Sequence, residues 1–102
     1  MKIINEICAY LADGWIIDIQ PKQNLLDGYL HLVSGNEKNK NFSMYCYVMN
    51  EKLYIKGCVF DELNGETRSI HLDKGALQLA KFIRKNVISQ KDYLFSIINS
   101  RR

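Results

Sequence analysis

Proline occurs once in this chain, at Pro21, and glycine six times among 102 residues. That composition excludes collagen-like and Pro/Gly-rich disordered chains. Long apolar runs are missing: no stretch approaches the roughly 18 residues of a membrane span. Near the start, Ile3, Ile4 and Ile7 are interrupted by Glu6 and followed by Asp13. No continuous run of about 7–15 apolar residues is left to serve as a secretory signal. Cys8, Cys46 and Cys58 are odd in number and widely spaced. This argues against a disulfide framework and predicts reduced, mostly buried thiols in a cytoplasmic protein.

Catalytic signatures are absent too. There is no glycine-rich phosphate loop, no Gly-x-Ser-x-Gly elbow and no His-Glu-x-x-His. Cys46 and Cys58 form no Cys-x-x-Cys pair, so the pattern gives neither a zinc knuckle nor a redox dithiol. His31 and His71 fall on predicted strands. A metal site or nucleophilic pair built from them and Cys58 would lack the close-spaced ligand pairs of structural zinc. Asp61-Glu62 reads as solvated turn charge. The expectation is a non-enzymatic chain without cofactor or metal.

What the chain does contain is enough apolar material for one core: 47% hydrophobic and 25% charged residues. The expected architecture is one α+β domain over 1–102. It has an N-terminal helix, an antiparallel sheet of four to five strands, and two C-terminal helices packed on one sheet face. Ile3, Ile4, Ile7, Cys8 and Leu11 make the buried stripe of a helix over 2–12, ended by Asp13-Gly14. Trp15 to Gln20 reads as a strand stopped by Pro21. A polar connection follows from Lys22 to Asp27, with Leu25-Leu26 as its anchor. Gly28 to Val33 reads as the next strand, and Ser34 to Asn41, without an apolar residue, as a mobile loop.

Phe42 to Met49 and Lys52 to Phe60 alternate with period two around Asn50-Glu51 and read as a hairpin. Asp61 to Glu66 is turn-rich, and Thr67 to Leu72 reads as a short fifth strand. Asp73 is positioned to cap a helix running to about Val87, with Ala76, Leu79, Ala80, Ile83 and Val87 buried. Ser89 and Asp92 are placed to cap a final helix carrying Leu94, Ile97 and Ile98.

The hairpin register divides the sheet. Phe42, Met44, Cys46, Val48, Leu53, Ile55 and Val59, with Leu30 and Leu32, suit a core beneath the helices. The opposite face collects Tyr29, His31, Tyr45, Tyr47, Met49, Tyr54 and Lys56. Three readings fit those tyrosines. They fit strands well and can be half-buried beneath a loop or helix. They are enriched at protein interfaces, where they bring area and few charges to desolvate. They can also stack on nucleic-acid bases.

Charge is uneven. Residues 1–72 hold seven Lys/Arg against nine Asp/Glu, and residues 73–102 hold seven against two, a net +5 in the C-terminal segment. Lys74, Lys81, Arg84, Lys85 and Lys91 could meet phosphates; equally they form the solvated side of amphipathic helices. The leading expectation is a protein-binding, inhibitor-like module. It would use Tyr29, Tyr45, Tyr47 and Tyr54 to mask a protein partner or a second copy of itself. The alternative is nucleic-acid binding by those tyrosines plus the basic helices. Neither reading involves a membrane or a small-molecule substrate.

The order helix–three strands–helix over about residues 2–88 is similar to a double-stranded-RNA-binding domain. At the positions of that family's Gly-Pro-x-His loop and Lys-Lys-x-Ala-Lys helix start, this chain has Ser34-Gly35-Asn36-Glu37 and Asp73-Lys74-Gly75-Ala76-Leu77. The resemblance is one of topology and carries over no functional residue.

Overall fold

The computed structural model describes residues 2–18 and 28–101. The expected end of the first strand at Ile19-Gln20, the Pro21 stop and the Lys22 to Asp27 connection with Leu25-Leu26 lie outside the described residues. The chain is α+β. Helix α1 (Lys2–Leu11) is followed by strands β1 (Trp15–Ile17), β2 (Leu30–Ser34), β3 (Phe42–Met49) and β4 (Lys52–Val59). Then come β5 (Leu63–Asn64), β6 (Arg68–His71), and helices α2 (Ala76–Asn86) and α3 (Lys91–Ser100). A turn of 3-10 helix at Ile88–Gln90 joins α2 to α3 as one bent helical arm. Among the described residues no helix is long and apolar enough to cross a membrane.

The sheet is antiparallel, in the order β1-β2-β3-β4. The far edge of β4 is shared by β5, opposite Cys58 and Val59, and by β6, opposite Lys52 to Ile55. Among the described residues this makes six strands where four or five were expected, because the two-residue β5 is too short for any sequence period to reveal. The hairpin register places Cys46 opposite Ile55 and Tyr47 opposite Tyr54. Its turn residues Asn50 and Glu51 have φ of 52° and 63°, the left-handed geometry that matches the twist of a two-residue hairpin.

The core forms because the periodicities coincide. Met44, Cys46, Leu53, Ile55 and Val59 point from the sheet, and Leu79, Ala80, Ile83 and Val87 point back from α2; all are essentially buried. Each fully buried Leu or Ile contributes about 1.5–3 kcal/mol. α1 supplies Ile4, Ile7, Cys8 and Leu11, and packs against α2 and β1. α3 packs against β4 with Leu94 and Ile98, while Ile97 is only half-buried. Trp15 and Phe42 meet edge to face at 6.0 Å. Val48 departs from the expected core set. It is 46% exposed although Leu53 opposite it is buried, because β2 begins at Leu30, opposite Cys46, and Val48 lies beyond it.

Three local expectations are corrected. Asp73 does not cap α2. It sits in a 3-10 turn (Leu72–Lys74), and the N-cap is Gly75 at φ 84°. Glycine alone adopts that angle without strain, so the chain breaks there and the helix restarts. Ser89 does not open α3: its hydroxyl donates back to the Lys85 carbonyl, and the helix begins at Lys91. The Ser34 to Asn41 loop is not free. Asn39 is buried and its Nδ2 donates to Ser34 Oγ at 3.0 Å. Ser34 Oγ donates to the Asp13 carbonyl, and Lys91 Nζ donates to the Lys38 carbonyl at 2.8 Å.

Candidate functional site

All three helices cover one face of the sheet, and the tyrosines occupy the other. β2, β3 and β4 place His31 opposite Tyr45 and Tyr45 opposite Lys56, with Tyr47 opposite Tyr54 beside them. The rings meet as a continuous row. His31 stacks on Tyr45 at 4.4 Å, and Tyr47 on Tyr54 at 4.8 Å. Tyr29, just before β2, bridges the two stacks edge to face, at 6.5 Å from Tyr45 and 4.9 Å from Tyr47. Lys56 Nζ lies 5.2 Å from the Tyr29 ring centre, within cation–π reach. The four tyrosines are half-buried, and Met49 and Ile16 at the margins of the face are 49% and 59% exposed. The face predicted from alternation is therefore one assembled surface.

Polar groups fix one end of the row. Buried His31 presents Nδ1 to Asp18 Oδ2 at 3.4 Å. Phe60 and Asp61, with φ of 53° and 54°, make the tight turn after β4. That turn places the Asp61 carboxylate near enough to the Tyr45 hydroxyl to act on it. Burial first, and then the Asp61 charge, hold the Tyr45 hydroxyl above the usual tyrosine range. Tyr47 is raised by partial desolvation and by its neighbours Tyr29 and Tyr54. Cys58, buried on the same face, is raised by burial and by Asp61, against the opposing Lys56 charge and an Asp61 backbone hydrogen bond.

The His31–Asp18 and Tyr45–Asp61 contacts have no signal in the sequence; Asp61 is exposed in its turn, as expected, and also acts on Tyr45. Both pairs join residues from separate elements, so only the register and turn geometry could have revealed them. The weak constellation of His31, His71 and Cys58 is not brought together. His71 pairs with Lys52 at one end of β4 while Cys58 lies near the other, roughly 20 Å away at the rise of a strand.

The basic residues lie on the helical side. Arg84 Nη2 donates to the Tyr10 carbonyl at 2.6 Å, tying α2 to the end of α1. Lys91 is engaged with Lys38 and with Asn39 Oδ1 at 3.2 Å. Lys74, Lys81 and Lys85 line a hollow between β6 and α2 with Ile70 and Phe82. The tyrosines and the lysines thus face opposite sides of the domain, and a single straight ligand cannot touch both sets. No protein-family model, no curated protein and no solved structure matches the chain.

Proposed function

We propose that this chain is a non-catalytic recognition module that binds a protein partner through the tyrosine face of its sheet. The observation that carries the proposal is the row of stacked rings, Tyr29, His31, Tyr45, Tyr47 and Tyr54, on the face opposite every helix. Rings already packed on one another lose little freedom on binding, which cuts the entropic cost of association. The aromatic area then supplies contact energy of the kind concentrated at interface centres.

Charge favours a protein over a polyanion. Lys52 and Lys56 on this face are balanced by Asp18 and Asp61, and the lysine row lies on the other side. Binding would act by steric masking of the partner.

The test is capture by immobilised wild type, Tyr54→Arg and Lys81→Glu/Lys85→Glu, with sedimentation velocity of each protein alone. One protein should be retained by wild type and by the lysine variant and lost on Tyr54→Arg. Tetranitromethane should then modify Tyr10 and Tyr93, which are 52% and 67% exposed, while the complex shields Tyr47 and Tyr54. Retention indifferent to Tyr54→Arg overturns the proposal, as does a salt-sensitive shift with nucleic acid that Tyr54→Arg abolishes.

A further inference from the structure

β6 closes one side of the sheet, and among the described residues no strand pairs with its outer edge. Leu72 N–H donates to the Glu51 carbonyl at 2.9 Å. Hydrogen-bonded pairs alternate along an antiparallel ladder. Ile70 and Arg68 therefore bond inward to Leu53 and Ile55, and Ser69 and His71 turn their N–H and C=O groups outward. Such an edge is a template for an added strand.

Two hollows follow this edge on the helical side. One, of 430 Å³, has Ile70 and Phe82 for its apolar lining and Lys74, Lys81 and Lys85 around it, with no acidic residue. The other, of 400 Å³, continues past Arg68, which is paired with Glu66 at 3.0 Å, and Gln90 to Tyr93 and Ile97. Gln90 Nε2 donates to the Asn86 carbonyl at 3.0 Å, so the helical wall runs from the first hollow to the second without a break. An open strand edge, an apolar trough and a row of lysines on one α2 flank therefore lie side by side.

We infer that this edge takes an extended acidic peptide as an added strand. The peptide backbone pairs with Ser69 and His71, and alternate side chains enter the trough against Ile70 and Phe82. Carboxylates at the rim meet Lys74, Lys81 and Lys85. A second copy of the chain fits poorly, since pairing β6 with its twin brings both lysine rows together. A nucleic-acid backbone fits poorly as well, because phosphates only accept hydrogen bonds and would leave the Ser69 and His71 carbonyls without donors. Ser69 lies opposite Tyr54, so the edge borders the tyrosine face, but the trough and the lysines lie on the helical side.

The probe is a fluorescein-labelled octapeptide alternating Glu and Val, followed by anisotropy at low and high salt, with the Lys/Val octapeptide and single-stranded DNA as competitors. Proline at an outward-facing edge position spares the inner ladder, so Ser69→Pro removes one donor while β4 pairing stays. The Glu/Val peptide should bind and weaken with salt. It should lose about tenfold in affinity on Ser69→Pro, the size expected for one or two lost hydrogen bonds. It should lose at least as much on Lys81→Glu/Lys85→Glu, whose exposed positions leave folding intact, and nothing on Tyr29→Arg, which lies on the far side of β3 and β4 from this edge. The inference is overturned by undiminished binding to folded Ser69→Pro or to the lysine variant. Equal competition by single-stranded DNA overturns it, and so does a peptide-independent dimer mass that Ser69→Pro abolishes.

Discussion

Gly57→Ala tests the packing at the centre of the core. Gly57 is buried in β4, opposite Met44. A Cβ there would stand 2.8 Å from Phe42 Cε1, 3.0 Å from Phe42 Cζ and 3.8 Å from Val87 Cγ1. The first two distances are below contact, so the Phe42 ring must move. It is 3% exposed and held edge-on by Trp15, so moving it disturbs packed neighbours. Overpacking of this kind costs about 1–3 kcal/mol. Against it stands a gain of about 0.5–1 kcal/mol from replacing glycine within a strand. The net expectation is a loss of roughly 1–2 kcal/mol, or about 5–15 °C in Tm for a domain of this size. Trp15, the only tryptophan, reports urea unfolding by fluorescence. In the Phe42→Leu background the same substitution should cost much less, since the obstructing ring is gone. A Gly57→Ala midpoint equal to or above wild type, with an unchanged m-value, would refute the reasoning.

Three further outcomes follow from local features. Glu51→Gly, which relieves a glutamate at φ 63° and creates an Asn-Gly turn, should stabilise the protein by about 1 kcal/mol; an unchanged urea midpoint would count against it. Lys91→Ala removes the donor to Lys38 O and Asn39 Oδ1. It should cost about 1 kcal/mol and speed amide exchange at Asn39 and Lys40, whose N–H groups bond to Asn36 and Glu37; unchanged exchange rates would show that the lysine does not hold the loop. Burial pushes the Cys46 thiol from 9.0 up to about 12, so the folded state keeps a proton that the unfolded state releases. Stability conferred by this group is full below pH 9 and falls as pH rises towards 12, with a slope of up to about 1.4 kcal/mol per pH unit. Urea midpoints of wild type and Cys46→Ala in reductant should therefore diverge less at pH 10.5 than at pH 8, and a constant gap would refute the assignment.

The parts of the fold legible in the sequence are those where a single period decides the outcome. Met44, Cys46, Leu53 and Ile55 had to share a face once Asn50-Glu51 was taken as the turn, and Leu79, Ala80 and Ile83 had to share a helical stripe. The tyrosine row follows from the same alternation. What escaped depends on contacts between elements. Gly75, not Asp73, starts α2 because of its backbone angle, and an acidic residue near a helix start looks the same in sequence whether or not it caps. The polar loop is ordered by Asp13 and Lys91, 21 and 53 residues away from their partners Ser34 and Lys38. Asp61 reaches Tyr45 only because Phe60 and Asp61 both take left-handed angles, an unusual geometry for a bulky aromatic that composition does not announce. Val48 alternates correctly and is still exposed, because period two assigns a face but not the extent of the layer that covers it.

The placement of charge settles how the two surfaces differ. A polyanion binds mainly through cations, and its affinity falls steeply with salt; an aromatic face whose few charges cancel binds through area and shape. In this domain Lys74, Lys81 and Lys85 stand together beside the β6 edge, and burial and the Asp61 charge push the Tyr45 hydroxyl up. The two proposed surfaces should therefore answer to different variables. Ionic strength should act on the β6 groove and leave the tyrosine face almost unchanged, and Tyr29→Arg, away from the β6 edge, should do the reverse. A single ligand released from the domain by both perturbations together would contradict this division, because no ligand that stays on one side of the sheet can depend on both.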